Sequence, residues 1–154
     1  MGVVLIGVSD PDLSRAAPYA AKAGCLAFDD YLEMCARLKP DIAFALGRHC
    51  DMAEEARFLI DNRIPFAMEK PCALNAAEAQ DIADRAAAAG VFAAVAMVFR
   101  TKEMKLNNVF FYPEFMHDTL ARVRGGRKPI ADLEDNAAAV TLIERAYAMS
   151  PLGQ

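Results

Sequence analysis

Short apolar runs alternate with amphipathic stretches over residues 3–99. The first run, VVLIGV at 3–8, is rich in β-branched residues and ends at Ser9-Asp10-Pro11. A continuous run of this kind is typical of a strand buried on both faces, as in a parallel sheet. Further runs predict strands of the same kind at 26–28, 42–46, 65–68 and 91–99.

The stretches between these runs carry helix signals. The first predicted helix begins at Asp12 or Ser14 and ends at Gly24, a residue suited to a left-handed C-terminal cap. The others run from Asp29 or Asp30 to Lys39, from Met52 to Asn62, and from Asn75 to Gly90. Strands and helices that alternate with short connections predict an α/β fold, a doubly wound parallel sheet with helices on both faces.

The pattern changes after Arg100. TKEMKLNN (101–108) is polar, FFYPEF (110–115) is aromatic, and the last two predicted helices span 114–124 and 132–149. No further strand is predicted. We therefore expect an α/β domain at 1–100 and a mainly helical segment at 101–154 that packs on it.

Composition narrows the class of protein. The 154 residues are 55% hydrophobic and 25% charged, with a net charge of -4, which favours a globular protein over a disordered or collagen-like chain. The basic stretch RVRGGRK at 122–128 is short, so nucleic acid is not an expected partner. No apolar run approaches the ~18 residues of a membrane span, and the N-terminus does not look like a signal peptide. We expect no membrane partner and a cytoplasmic location.

The cysteines do not indicate a metal site. Cys25, Cys35, Cys50 and Cys72 are irregularly spaced, without a CxxC motif or a nearby histidine pair. We interpret them as reduced thiols and predict no metal. Cys72 is of further interest because it follows a candidate site.

Asp10 is the first candidate functional residue. Ligands of doubly wound sheets bind outside the carboxyl ends of the strands, and Asp10 follows the first predicted strand. A carboxylate at this place can accept the hydroxyl hydrogens of a ribose and repel a 2′-phosphate. The alternative, which position alone favours, is a helix N-cap or an Asx turn with Pro11.

Lys70 follows the strand predicted at 65–68, within Glu69-Lys70-Pro71. An ammonium group at the end of a strand can hydrogen-bond a substrate hydroxyl or carbonyl and assist proton movement. The alternative is a surface lysine paired with Glu69. Pro71 fixes the backbone beside Lys70, and a cis bond is one way to do so.

Gly47-Arg48-His49 follows the strand predicted at 42–46. The glycine permits close backbone contact with a cofactor, and the arginine or histidine can meet phosphate or amide groups. The alternative is a solvated loop without a ligand.

Several segments together resemble the Gfo/Idh/MocA family of NAD(P)-dependent oxidoreductases, named for glucose-fructose oxidoreductase and inositol dehydrogenase. They are SDPDLSRAA, IAFALGRH, AEEARFLIDNRIPFAMEKP and ALNAAEAQDIADRAAAAG. EKP after a buried strand is a fairly specific mark of this family. The resemblance covers residues 3–100 and implies a Rossmann-like dinucleotide-binding domain with NAD or NADP as cofactor. Asp10 favours NAD, while Ser9 and Arg15 leave NADP open.

The resemblance also implies an activity and a set of site residues. The activity is hydride transfer between nicotinamide and a secondary hydroxyl of a sugar, cyclitol or related polyol, with Lys70 as the catalytic residue. The implied cofactor-binding residues are Asp10, Arg15, Leu46, Gly47, Arg48, His49, Glu69, Lys70 and Pro71.

Two parts of the family pattern are not found in this sequence. One is a first strand with a Gly-rich turn, and the other is most of the substrate domain that supplies an Asp and a His. The stretch after residue 111 resembles the C-terminal stretch of the family. We therefore expect an incomplete sheet and a chain that is inactive by itself. The alternative is a non-catalytic remnant that serves as a scaffold or oligomerisation module, and a homo-oligomer would use the FFYPEF surface.

Overall fold

The computed structural model describes residues 3–96 and 111–149, and side chains at 3–96 and 115–149. Its strands are β1 (Gly7–Ser9), β2 (Leu26–Phe28), β3 (Ala43–Ala45), β4 (Phe66–Met68) and β5 (Ala93–Val95). Its helices are α1 (Leu13–Ala23), α2 (Tyr31–Leu38), α3 (Met52–Asp61), α4 (Ala76–Ala89), α5 (Phe111–Arg124) and α6 (Leu133–Ala148). Strand and helix alternate from β1 to β5, as the sequence predicts.

Polar caps set the ends of several helices. The side chains of Asp12, Asp30 and Asn75 accept hydrogen bonds from backbone N–H groups in the first turns of α1, α2 and α4. Gly24 and Gly90 end α1 and α4 with φ of 70° and 64°, a left-handed conformation that glycine adopts without steric penalty. The predicted helix limits are therefore confirmed to within a residue or two at these ends.

The chain divides into two compact units, at 1–41 and 42–154. In the first unit β1 and β2 form a parallel pair, with Gly7 opposite Leu26 and Ser9 opposite Phe28. Helices α1 and α2 both pack on these strands.

The prediction of a buried strand over residues 3–8 is wrong for residues 3–6, and residues 7 and 8 are in a strand that is only half-buried. Residues 3–6 lie outside the strand, and Val4 is 77% exposed. The parallel ladder begins only at Gly7, because β2 offers three residues for pairing. Apolar β-branched composition was not sufficient to bury residues that lack a packing partner within the described part of the chain.

The second unit contains a parallel sheet in the order β3-β4-β5. All residues of β4 and β5 are buried, and Phe66, Met68 and Val95 are fully so. These side chains form the core of the unit together with buried residues of α3 and α4, among them Met52 and Ile82.

Helix α6 completes the second unit on the side of β5. Val95 N donates to Ala131 O at 3.0 Å, and Ala94 and Asp132 form an antiparallel bridge just before the helix. Helix α6 then packs along α4. The sequence-based domain boundary near residue 100 lies outside the described residues and stays a prediction.

The α/β fold class with parallel strands and C-terminal helices is confirmed. Among the described strands, however, pairing occurs within two separate sheets, β1-β2 and β3-β4-β5, and not within one. This agrees with the expectation of an incomplete sheet, because no described strand hydrogen-bonds to both β1 and β3. None of the described helices has the length and apolar character that crossing a bilayer requires.

Candidate cofactor and substrate site

The carboxyl ends of β3 and β4 bring two predicted segments next to each other. Ala45 lies opposite Met68 in the parallel register, so residues 46–49 and residues 69–71 leave the sheet side by side. Glu69 N donates to Ala45 O at 3.1 Å, which extends the pairing one residue beyond β4. The structure thus confirms that these two segments share one edge of the sheet.

Lys70 is exposed on the turn that follows β4. The Lys70–Pro71 peptide bond is cis, the geometry that the sequence suggested for this turn. The Glu69 carboxylate accepts a hydrogen bond from the backbone N–H of Lys70 at 3.0 Å. Among the described residues the Lys70 ammonium forms no ion pair, so the alternative of a lysine paired with Glu69 is not what these side chains show. The ammonium is available to a ligand.

The chain becomes buried again directly after Pro71. Cys72 is fully buried, and both its backbone N–H and its thiol donate to Asn136 Oδ1, at 3.2 and 2.9 Å. Burial raises the pKa of the Cys72 thiol to about 11. Cys72 is therefore a structural thiol next to the turn, in line with the free state of all four cysteines.

Sequence reasoning missed Asn136. It lies on α6 and is 4% exposed, one of two buried polar side chains in the described residues. A signal for it exists in the sequence, because Asn136 falls between Leu133 and Val140 at helical spacing on an otherwise apolar face. A polar residue on the buried face of a helix needs a specific partner.

The loop after β3 is exposed from Leu46 to His49. The Arg48 guanidinium donates to the Asp51 carboxylate at 2.7 Å, which lowers the pKa of Asp51. His49 lies within the turn closed by Asp51 N donating to Arg48 O. These features fit the solvated-loop alternative, and whether Leu46, Arg48 and His49 contact a cofactor stays a prediction.

Gly47 has a neighbour that the sequence did not suggest. A Cβ atom at Gly47 would lie 2.7 Å from Oε1 of Glu55, so this carboxylate packs directly against the glycine. Glu55 is half-buried on α3, and burial, with a smaller effect of Asp51, raises its pKa. The absence of a side chain at Gly47 therefore allows close approach of Glu55, a residue of the same unit.

Asp10 and Arg15 belong to the first unit and pair with each other. Asp10 Oδ1 accepts from Asp12 N at 2.9 Å, and Arg15 Nε lies 3.5 Å from Asp10 Oδ2. The Asx-turn alternative for Asp10 is therefore confirmed, whereas Asp12 is the N-cap of α1. A carboxylate has about four lone-pair sites, so this turn leaves acceptor capacity for ribose hydroxyls.

Taken unit by unit, single residues have chemistry that suits one part of a dinucleotide cofactor. The exposed Lys70 ammonium suits a carboxamide or hydroxyl oxygen, and the Asp10 carboxylate suits a ribose. A cradle for the pyrophosphate is not evident in the described residues, since the space over Gly47 is taken by Glu55. No group of three or more potential metal ligands occurs within the described part of the chain.

A family model described as "Oxidoreductase family, NAD-binding Rossmann fold" matches residues 2–97, and it is the model of the Gfo/Idh/MocA family. No curated protein matches the chain.

Solved structures similar to the chain include an NAD binding oxidoreductase from Klebsiella pneumoniae, with 29% identity and a TM-score of 0.57 over 63% of this chain. Another is UDP-N-acetylglucosamine 3-dehydrogenase GnnA from Acidithiobacillus ferrooxidans, with 25% identity and a TM-score of 0.58 over 62%. A third, at 17% identity, TM-score 0.58 and 62% coverage, is an oxidoreductase from Agrobacterium radiobacter in complex with NAD+, L-tartaric acid and magnesium, and it supports the fold alone. The chain spans only 26%, 31% and 28% of these three structures.

Proposed function

The chain belongs to the Gfo/Idh/MocA family of oxidoreductases with an NAD-binding Rossmann fold, and from this premise we propose that it works in NAD-dependent hydride transfer. The proposed substrate class is a sugar, cyclitol or related polyol that reacts at a secondary hydroxyl. Since the chain spans about a quarter to a third of its solved neighbours, the proposal concerns its part in such a reaction.

The observation that carries the proposal is the position of Lys70. It is exposed at the carboxyl end of a fully buried strand, where ligands of this fold class bind. Two hydrogen bonds hold the turn that carries it. Glu69 N donates to Ala45 O of β3, and Cys72 N donates to the Asn136 side chain of α6, so the backbone is bound on each side of Lys70. A fixed backbone that carries an exposed amine is suited to proton transfer.

Lys70 is proposed to handle the proton of the reacting hydroxyl. When the alcohol is oxidised, its C–H bond breaks with the electron pair and its O–H bond breaks as a proton. A bound nicotinamide would supply the redox chemistry as the acceptor of that hydride. The Lys70 amine accepts the proton in that direction, and the ammonium returns it to the alkoxide oxygen in the reverse direction.

Asp10 and Arg15 are proposed to influence the choice of cofactor. The Asp10 carboxylate can accept ribose hydroxyls and repels a 2′-phosphate, which favours NAD. Arg15 is mostly exposed and lies beside Asp10, so it can turn toward a 2′-phosphate, and NADP stays open. The other proposed contacts to the cofactor are those of residues 46–49 and 69–71.

Isothermal titration of NAD and of NADP into the chain tests the cofactor proposal. We expect micromolar binding of NAD and weaker binding of NADP. A matched control is Asp10→Asn, which keeps the Asx turn to Asp12 N but removes the charge. In this variant the difference between the affinities for NAD and NADP should become smaller. No heat change at millimolar cofactor would contradict the proposal.

A non-catalytic scaffold is the second candidate. The loop after β3 favours it, because the Arg48 guanidinium already binds the Asp51 carboxylate at 2.7 Å and Glu55 packs against Gly47. Failure to bind either cofactor in the titration would support this candidate. A homo-oligomer and a cytoplasmic location remain proposals, and most side chains of the FFYPEF surface lie outside the described residues.

A further inference from the structure

We propose that Asn136 is the positioning residue for Lys70, holding the Glu69–Pro71 turn from helix α6. This inference rests on the proposed function, in which Lys70 transfers a proton. Asn136 touches neither a substrate nor a cofactor in this proposal, and it acts only through Cys72.

The position of Asn136 is itself fixed by the sheet. Val95 N of β5 donates to Ala131 O. Asp132, which follows Ala131, is the N-cap of α6 and forms a reciprocal capping box with Asp135. Asn136 N donates to Asp132 O at 3.2 Å, so the residue lies in the first turn of the helix. The amide of Asn136 is therefore placed by β5 and by the cap, which are both rigid features of the unit.

The turn that carries Lys70 is bound on each side. Before it, Glu69 N donates to Ala45 O, and Met68 O accepts from Ala96 N at 2.9 Å. After it, the first backbone N–H beyond Pro71 is that of Cys72, which donates to Asn136 Oδ1. Pro71 itself has no N–H, so Asn136 Oδ1 is the acceptor for the first backbone N–H that follows that of Lys70.

The burial of this contact makes it effective. Asn136 and Cys72 are 4% and 0% exposed, so in the wild-type protein bulk water does not reach the Cys72 N–H. A buried N–H without an acceptor is strongly disfavoured, and the chain would move to find one. Because only Pro71 separates Cys72 from Lys70, such a movement would displace the Lys70 backbone.

A second contact confines the same region. Glu144, two turns further along α6, accepts from Ala76 N at 2.8 Å at the start of α4. Helix α6 thus binds the chain at Cys72 and at Ala76 while packing along α4. Asn136 is the part of this attachment nearest to Lys70.

Three variants of the full chain test the inference. Asn136→Leu has a similar volume and no acceptor, whereas Asn136→Asp keeps an acceptor oxygen in the same place. Thr119→Val is the matched control, because Thr119 on α5 is the other buried polar side chain among those the structure describes. Amide hydrogen exchange at Cys72 and the chemical shifts of Lys70, without and with NAD, are measured by NMR.

In wild-type protein the Cys72 amide should exchange slowly. In Asn136→Leu it should exchange about tenfold faster or more, relative to amides of β4, and the Lys70 amide resonance should shift. Asn136→Asp should restore slow exchange and the wild-type Lys70 resonance. Thr119→Val should lower stability and leave both signals unchanged. If Asn136→Leu does not fold, Asn136→Ala is measured in its place, since it adds no bulk.

Fast exchange at Cys72 in folded wild-type protein overturns the inference, as does an unchanged Lys70 amide in Asn136→Leu or Asn136→Ala. The measurements with NAD distinguish failure of this inference from failure of the proposed function. A Lys70 Cε resonance that does not respond to NAD in wild-type protein overturns the role of Lys70, while the measurements without NAD still decide whether Asn136 holds the turn.

Discussion

Two residues of the chain just after β4, Lys70 and Cys72, differ in their exposure to solvent, and this difference suits them to different roles. Lys70 is exposed and can meet a ligand, whereas Cys72, two positions later, is fully buried. The sequence marked Lys70 through the EKP motif, but exposure and burial followed only from the packing of α6. The Cys72 thiol is buried and bound to Asn136, so the proposed proton transfer belongs to the exposed lysine.

Lys70→Ala should leave NAD affinity within about twofold of wild type and abolish turnover of any polyol that the wild-type protein oxidises, because the proton acceptor is lost. Lys70→Arg is the matched control, since arginine stays protonated near neutral pH and cannot accept the proton of the hydroxyl, so it should also lack turnover. NADH absorbance measures turnover. Unchanged turnover in Lys70→Ala would remove Lys70 from its proposed role.

The buried Cys72 thiol should make stability fall at alkaline pH. Its pKa in the folded protein is raised to about 11 from the ordinary thiol value of 9.0, so the folded state holds the proton more tightly than the unfolded state. The contribution of the protonated thiol to the free energy of unfolding is fully present below pH ~9. It is lost as the pH rises toward ~11, by up to about 1.4 kcal/mol per pH unit. The free energies of unfolding of wild type and Cys72→Ala, measured with urea, should therefore converge by roughly 2 kcal/mol between pH 8 and pH 10.5. A difference that is independent of pH would contradict this assignment.

At the scale of the elements, local sequence signals accounted for most of the helices. Asp12, Asp30 and Asn75 begin their helices by accepting backbone N–H groups, and Gly24 and Gly90 end theirs in the left-handed conformation. These interactions join residues close in sequence, so they can be recognised without a tertiary structure. Strand lengths were less predictable, because a strand extends only as far as its neighbour pairs with it.

Asn75→Ala should destabilise the protein by about 1 kcal/mol, because the Asn75 side chain accepts from Glu78 N at 2.9 Å and alanine offers no acceptor. Asn75→Ser is the control, since a serine hydroxyl can cap the same helix. Urea unfolding monitored by circular dichroism measures the difference. Equal unfolding midpoints for the alanine and serine variants would show that this cap does not stabilise α4.

At the scale of the whole molecule, the strands are divided between two units with different burial. In the unit 42–154, β4 pairs with strands on both sides and is buried along its length. In the unit 1–41, β1 pairs with β2 alone among the described strands and is half-buried. Stability should therefore be unevenly distributed along the chain.

Hydrogen exchange measured by mass spectrometry should show this difference. We expect peptides that contain residues 66–68 to be protected far longer than peptides that contain residues 7–9, since β4 opens only when its unit unfolds. Peptides from residues 3–6 should exchange fastest of the three, because these residues are outside the ladder. Equal protection of β1 and β4 would indicate that the two units unfold together.

The sequence by itself determined the order of helices and strands, the helix caps, and the family to which residues 2–97 belong. It also indicated the turn at Lys70. Tertiary structure alone decided the separation of the sheets and the exposure of residues 3–6. It also decided the bond between Cys72 and Asn136, which lie 64 positions apart. The physical reason is range, since caps and periodicity act over a few residues, whereas pairing and burial depend on which distant segments pack together.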